Sequence, residues 1–383
     1  MEIKMSNISG AWAEIDLKAI RHNFREAQRL ARILLEPVFN RQVDILSVVK
    51  ADSYGHGMLA AVKVMQKEGG KFFAVSNINE ASALRAGGCR HRILLFEATL
   101  LDAAREMVRL DLTPALCTLE MARALNIEAK RAKKLLPVHI KVDTGMSRLG
   151  VWYEDLLPFV RKILKLDHIY IEGFLTHFPV ADTDRKFTEL QGNVFSNAVA
   201  DLIKEGVPFK YLHAANSMGL AGYKNRYFNL VRPGVMLYGL YPHKSLRAAV
   251  DLQPVMTVKT RVLLVKVIHR GRGISYGHTV RALKDTPVAV LAIGYSDGYF
   301  RALSNKAEIL LNGCRCRILG RVTMDQVIVD ISRAGRVKVG DIAVVLGAQK
   351  GGVISADEIA AWAGTINYEV TCNLGNRLTR VYR

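Results

Sequence analysis

The chain has 383 residues, 50% hydrophobic and 23% charged, and its 54 Lys and Arg against 35 Asp and Glu give a net charge of +19. That length and apolar content exclude a disordered polymer and a single minimal domain, and point to two folded domains. Five cysteines, an odd number in a long chain, argue against a secreted disulfide framework, and no apolar run approaches a membrane span.

The N-terminus shows no apolar signal core, so a cytoplasmic protein with no membrane partner is expected. The positive charge raises polyanions as partners. However, Lys and Arg are spread along the chain. The densest cluster, Lys130, Arg131, Lys133 and Lys134, falls at the end of a predicted helix and reads as a solvated terminus. No aromatic–basic binding motif accompanies it, so no nucleic-acid partner is expected. Cys314-Arg315-Cys316 has no second pair, so no metal site is expected either.

Residues 1–10 read as a tail. Ala11–Asp16 reads as a short strand, and Asp16 can cap a helix in which Leu17, Ile20, Phe24, Ala27 and Leu30 recur at helical spacing. Short apolar strands then alternate with amphipathic helices. The predicted strands are Ile45–Lys50, Phe72–Val75, Ile93–Phe96, Thr113–Leu116, Val138–Val142, Ile169–Thr176, Tyr211–Ala214 and Leu230–Met236. Helices are predicted between them, the longest over Leu119–Lys133 and Thr183–Glu205. Strand–helix pairs repeated in this way predict an α/β fold, a (β/α)8 TIM-like barrel over 11–251. A doubly wound sheet would call for a glycine-rich phosphate turn, and no G-x-G-x-x-G follows an early strand.

From Leu252 the texture changes. Val258–Val267, Val288–Ile293, Ala307–Leu311, Cys316–Val322, Gln326–Ile331 and Ile342–Leu346 read as strands, with Asn312-Gly313 as a hairpin turn. Ser355–Trp362 reads as a helix with a Ser355/Glu358 capping box. Residues 252–383 are therefore expected to form a mostly β C-terminal domain.

The strand ends collect the chemistry. The aliphatic run from Ile45 ends on Lys50, followed by Tyr54; later ends carry Asp143 to Arg148, Thr176-His177, Asn216-Ser217 and Arg232 to Val235. Barrel enzymes work at this rim and hold phosphate after the seventh and eighth strands. A desolvated lysine there can form a Schiff base with pyridoxal phosphate. Ser217, a nearby tyrosine and the N–H groups of Gly234 and Val235 can hold its phosphate. Arg232, always protonated, could face the pyridine nitrogen and leave that nitrogen unprotonated, giving a weak electron sink suited to proton exchange.

Val48–Gly57, Lys141–Gly150, His213–Ser217, Arg232–Gly239, Ser275–Gly277, Gly294–Gly298, Gly320–Asp325 and Asn367-Tyr368 resemble the motifs of the alanine racemases, in order, from about Ala11 to the last residues. The resemblance implies a pyridoxal-phosphate-dependent isomerase of alanine, supplying D-alanine for peptidoglycan. Lys50 would be the Schiff-base lysine and one acid/base group. Tyr276, supplied by the second subunit of a homodimer, would be the other, on the opposite face of the substrate. Arg148 would orient the substrate carboxylate and the cofactor's phenolic oxygen, and Lys141 would be carbamylated beside it. His177 would link Arg232 to Tyr276. Tyr54, Asn216, Ser217, Gly234, Val235 and Tyr368 would bind the cofactor, and Met324 the carboxylate through its N–H. Tyr295, Asp182 and Arg321 would line the entrance.

Phe178-Pro-Val and His243 depart from the family's pattern and leave open a broader racemase acting, for example, on serine. A single-barrel cofactor carrier would lack the β domain and Tyr276. A decarboxylase of similar architecture would place a carboxylate where Arg232 stands.

Overall fold

A computed structural model describes residues 10–34, 43–223, 228–375 and 377–383. Apart from Gly10, the expected tail lies outside the described residues. The chain divides into two compact units. One holds 21–51 and 61–252; the other holds 253–383 together with the N-terminal stretch up to Ile20 and residues 52–60.

In order, the strands of the first unit are β2 (Asp44–Val48), β3 (Phe72–Val75), β4 (Arg92–Leu95), β5 (Thr113–Leu116), β6 (Leu136–Asp143), β7 (Ile169–Leu175), β8 (Tyr211–His213) and β9 (Leu230–Val231); β1 (Ala11–Ile15) lies elsewhere. They pair in parallel in the order β9-β2-β3-β4-β5-β6-β7-β8. Backbone bonds from Asn229 N–H to Leu212 O and from Arg232 N–H to Ala215 O link β8 to β9, which brings the eight described strands close to full closure. Strands β3 and β5 are buried throughout, as a sheet covered by helices on one side and its own interior on the other requires. Among the helices, α1 (Leu17–Leu34) starts at Asp16, whose carboxylate accepts from Lys18 and Ala19 N–H. Next in chain order come α2 (Met58–Lys67), α3 (Ile78–Ala86), α4 (Ala104–Arg109), α5 (Leu119–Arg131), α6 (Leu156–Ile163), α7 (Arg185–Lys204) and α8 (Ser217–Gly222). The barrel and the separate β domain both match the reading of the sequence.

Two expectations are corrected. The eighth strand is only Leu230–Val231: Pro233 has no N–H for a ladder, Gly234 leaves the extended region at φ −124° and ψ −91°, and Val235–Tyr238 forms a tight helical turn. Strand β1, counted from sequence with the barrel segment, instead pairs antiparallel with β10 (Met256–Ile268) and parallel with β16 (Thr379–Tyr382) in the second unit. Buried along its whole length, it could be covered by either sheet, so only the tertiary partners decide.

The second unit's main sheet runs β13-β12-β15-β10-β1-β16. Here β12 is Glu308–Leu311, β13 Cys314–Arg317 and β15 Ile342–Gln349, while β11 (Thr286–Leu291) pairs with β10 and with β14 (Val327–Asp330). Asn312 and Gly313, at φ 55° and 85°, make the expected hairpin turn between β12 and β13. Helix α9 (Ala356–Ala363) carries the predicted capping box, and α10 (Asn367–Leu374) follows. No helix among the described residues is long and apolar enough to cross a membrane.

Candidate active site

Lys50 follows β2 after one residue, Val49. After it, Ala51, Asp52, Ser53 and Tyr54 have φ of 51°, 51°, 58° and 52°, one left-handed helical turn made without a glycine. Left-handed backbone costs L-residues about 1–2 kcal/mol each, so the surroundings must impose it. Glu80 accepts from Ala51 N–H at 2.6 Å and from Ser76 N–H at 2.8 Å, tying the ends of β2 and β3 together. In the second unit, Arg380 pairs with Asp52 at 2.7 Å and donates to Gly55 O at 3.0 Å, while Asp52 caps Met58 N–H at 2.7 Å. Gly55, at φ 84°, has room for no side chain: a Cβ there would lie 2.1 Å from Thr371 O.

Lys141 lies on β6, and Arg148 on the loop beyond it. The loop is shaped by Asp143, whose Oδ1 accepts from the N–H groups of Gly145, Met146 and Ser147 at 2.9, 3.0 and 3.1 Å. That turn brings Arg148 to the surface. Burial pulls the Lys141 ammonium down to about 7; the nearby Arg232 charge adds to the effect, Cys117 opposes it, and Arg148 lowers it further.

Arg232 is 3% exposed at the end of β9. Its Nη2 donates to Thr176 O and Ala214 O, both at 2.8 Å, and toward His177 Nδ1 at 3.3 Å; Nη1 donates to His213 Nδ1 at 3.1 Å. No described residue accepts from its Nε–H. Burial lowers its pKa to about 9, which still leaves it charged at neutral pH. His177 and His213 are pushed well below the ordinary imidazole value by burial first and by Arg232 second, so both are neutral. An arginine only donates, so each ring accepts at Nδ1 and carries its proton at Nε2.

Ser217 opens α8, and its Oγ accepts from Gly234 N–H at 3.0 Å and Met236 N–H at 3.5 Å. Asn216 caps the same helix through Gly219 N–H. The N–H of Val235 has no acceptor among the described residues. Two chain turns thus aim backbone donors at one hydroxyl, where a barrel enzyme holds phosphate. Asp182 lies exposed beyond His177.

The remaining expected residues belong to the second unit. Tyr54 and Tyr368 are neighbours, with ring centroids 6.1 Å apart. Burial raises the Tyr54 phenol far above its usual value, so it serves as an O–H donor. Tyr276, Tyr295 and Met324 are 72%, 42% and 54% exposed. Ser275, Gly277 and His278, around Tyr276, all have positive φ. Ser275 Oγ donates to Arg321 O at 2.7 Å, and the backbone of Tyr295 and Ser296 bonds to Thr323 and Met324.

The barrel rim therefore brings Lys50, Lys141, Arg148, His177, Asn216, Ser217, Arg232, Gly234 and Val235 to the same ends of the strands. The second unit groups Tyr54 with Tyr368, and Tyr276 with Arg321, Tyr295 and Met324. These residues suit a phosphorylated pyridine aldehyde: a lysine for the aldehyde, the Val235 N–H for phosphate, and the Arg232 Nε–H, which lacks an acceptor among the described residues, for a ring nitrogen. Sequence reasoning missed Glu80, which supports the lysine, and gave no role to His213. His213 stands in a motif singled out above, and that position was the available signal.

Residues 15–242 match the alanine racemase N-terminal domain, and residues 255–382 match the alanine racemase C-terminal domain. An alanine racemase of Carboxydothermus hydrogenoformans is 42% identical over 97% of this chain and 99% of its own. Among solved structures, the alanine racemase of Clostridium difficile 630 superposes with a TM-score of 0.90 at 32% identity, covering 98% of this chain and 96% of that one. The enzyme from D-cycloserine-producing Streptomyces lavendulae gives 0.91 at 31%, covering 98% and 97%.

Proposed function

The chain belongs to the alanine racemase family and is an isomerase, and from that premise we propose that it interconverts L- and D-alanine with pyridoxal phosphate by a two-base mechanism in a homodimer. When bound, the cofactor would supply the electron sink that acidifies the α-C–H of alanine. The observation that carries this reading is Arg232: a buried guanidinium, fixed by two carbonyls and two neutral imidazoles, with an Nε–H that no described residue accepts. Toward a ring nitrogen this guanidinium would keep its own proton and leave that nitrogen unprotonated. An arginine in that place would thus suit the site to return of the proton rather than to side reactions.

Lys50 would hold the cofactor and exchange the α-proton on one face. Tyr276 of a second subunit would do so on the other, consistent with its 72% exposure. With Nδ1 taken by Arg232, His177 has its Nε2–H available for the Tyr276 oxygen, which favours the phenolate as a base. Arg148 would orient the substrate carboxylate, aided by Met324 N–H, and a carbamate on Lys141 would hold Arg148 in place. Tyr54, Asn216, Ser217, Gly234, Val235 and Tyr368 would hold the phosphate end. Tyr295, Asp182 and Arg321 would line the entrance. The product D-alanine would serve peptidoglycan synthesis in the cytoplasm.

The test is incubation of the protein with pyridoxal phosphate and L-alanine in deuterium oxide, following chirality and α-deuterium together. D-alanine carrying solvent deuterium is expected. A protein that binds the cofactor yet neither racemises nor labels alanine would overturn the proposal.

A further inference from the structure

The hydrogen-bond chain that begins at Arg232 does not stop at His213. His213 Nε2–H donates to His139 Nδ1 at 2.7 Å, so His139 carries its own proton on Nε2 and donates to Glu172 Oε2 at 3.2 Å. Glu172 also pairs with Arg92. Both imidazoles are fully buried and meet edge to face, with centroids 4.9 Å apart. Barrel interiors are ordinarily filled with branched aliphatic layers. Here strands β4, β6, β7, β8 and β9 each contribute a polar member to one line: Arg92, His139, Glu172, His213 and, just past β9, Arg232. Gly173 makes room for it, since a Cβ there would lie 3.0 Å from the His139 ring and 2.8 Å from Tyr211 O.

The line has a direction. Arginine can only donate, an ionised carboxylate can only accept, and a neutral imidazole does one of each. With Arg232 at one end and Glu172 at the other, a single tautomer of each ring satisfies every contact. We infer that Glu172 is a positioning residue for Arg232, acting through the rings of His139 and His213 to keep His213 Nδ1 as an acceptor for the guanidinium. Its bearing on catalysis rests on the place given to Arg232 under the proposed function.

Replacing Glu172 by glutamine removes the direction. The amide oxygen must turn to Arg92, so its NH2 faces His139 Nε2 and demands the opposite tautomer. His213 would then present an N–H to Arg232. The test begins with 15N-histidine-labelled protein without cofactor, in which long-range 15N–1H spectra distinguish ring tautomers. Nε2–H forms of both His139 and His213 are expected. In E172Q both signals should shift toward the other tautomer or broaden. In the holoenzyme, kcat for alanine should fall about tenfold with KM nearly unchanged, because the loss lies in orientation of a group already present. E172D, which keeps a carboxylate, should recover most of both.

An Nδ1–H form of His213 in the unaltered protein would overturn the inference. So would an E172Q variant whose tautomers are unchanged, or one whose tautomers change while kcat does not. Should E172Q fail to fold, the unaltered spectrum and the kcat-against-KM split of E172D decide. A protein that racemises nothing would refute the proposed function alone, since the tautomers are read without cofactor or substrate.

Discussion

Withholding carbon dioxide should leave Lys141 as a titrating amine, and supplying it should convert that amine to a fixed anion. Burial and Arg232 bring its pKa from the ordinary 10.5 to about 7. At pH 8 about nine-tenths of the amine is neutral, against roughly one part in 300 for an ordinary lysine. The neutral amine attacks the carbon of CO2, forms an N–C bond and releases one proton, placing a negative charge near Arg232 and Arg148. Without CO2 the linkage has a definite sign. Below about pH 7 folded and unfolded chains both hold the proton; between about 7 and 10.5 only the unfolded chain does, so stability rises with pH across that window. The assay is 13C NMR in labelled bicarbonate at fixed CO2 pressure from pH 6 to 10, with K141A as control. A carbamate carbon should be plain at pH 8, weaken toward pH 6, and vanish in K141A. Its absence at pH 8, its survival in K141A, or its appearance only near pH 10 would refute the reasoning.

Lys50→Ala should abolish the visible absorbance of bound cofactor and all racemisation; retention of either would remove Lys50 from the centre. Tyr276→Phe should suppress α-deuterium exchange from L-alanine by about 100-fold or more while cofactor content, read spectrophotometrically, stays unchanged; equal losses in both would make the tyrosine structural. Gly55→Ala forces a Cβ against the Thr371 carbonyl at a left-handed position, and should lower stability by about 2–4 kcal/mol, measured as a drop in Tm. An unchanged Tm would mean the turn relaxes without cost.

The barrel was legible because most strands are largely apolar runs of a few residues and the longer helices show an amphipathic period. Those signals are local, and so is the Asn312-Gly313 turn. The position of β1 was not legible. Ala11–Ile15 is buried along its whole length, and a buried strand carries no mark of which sheet covers it. The eighth strand was overdrawn because the apolar residues of Val235–Tyr238 read as extended, although Pro233 and Gly234 end the ladder. The rim residues were legible by type and by their place after strands. The polar line behind Arg232 was not, because His139 and Glu172 look like isolated polar residues inside otherwise apolar strands. Only their pairing across β6, β7 and β8 shows a common role.

The sequence also concealed the strain at the two positions proposed as acid/base groups. Ala51-Asp-Ser-Tyr54 holds no glycine, so local propensity points away from the left-handed turn it adopts. That turn is imposed from a distance, by Glu80 on α3 and by Arg380 on β16. At Tyr276 the residues on either side, Ser275 and Gly277, have φ of 59° and 70°, and Ser275 is fastened to Arg321. In both places the side chain proposed as reactive precedes or sits within backbone it could not hold unaided. An unconstrained chain would relax such a turn, and the lysine or tyrosine would lose its fixed direction at a cost of orientation rather than of chemistry. The groups that resist this are acids and bases remote in sequence from the lysine, which is why they carry no motif of their own. In this protein the residues proposed to react and the residues that fix their backbone are therefore read by different means: the first from residue type and motif, the second only from the folded contacts.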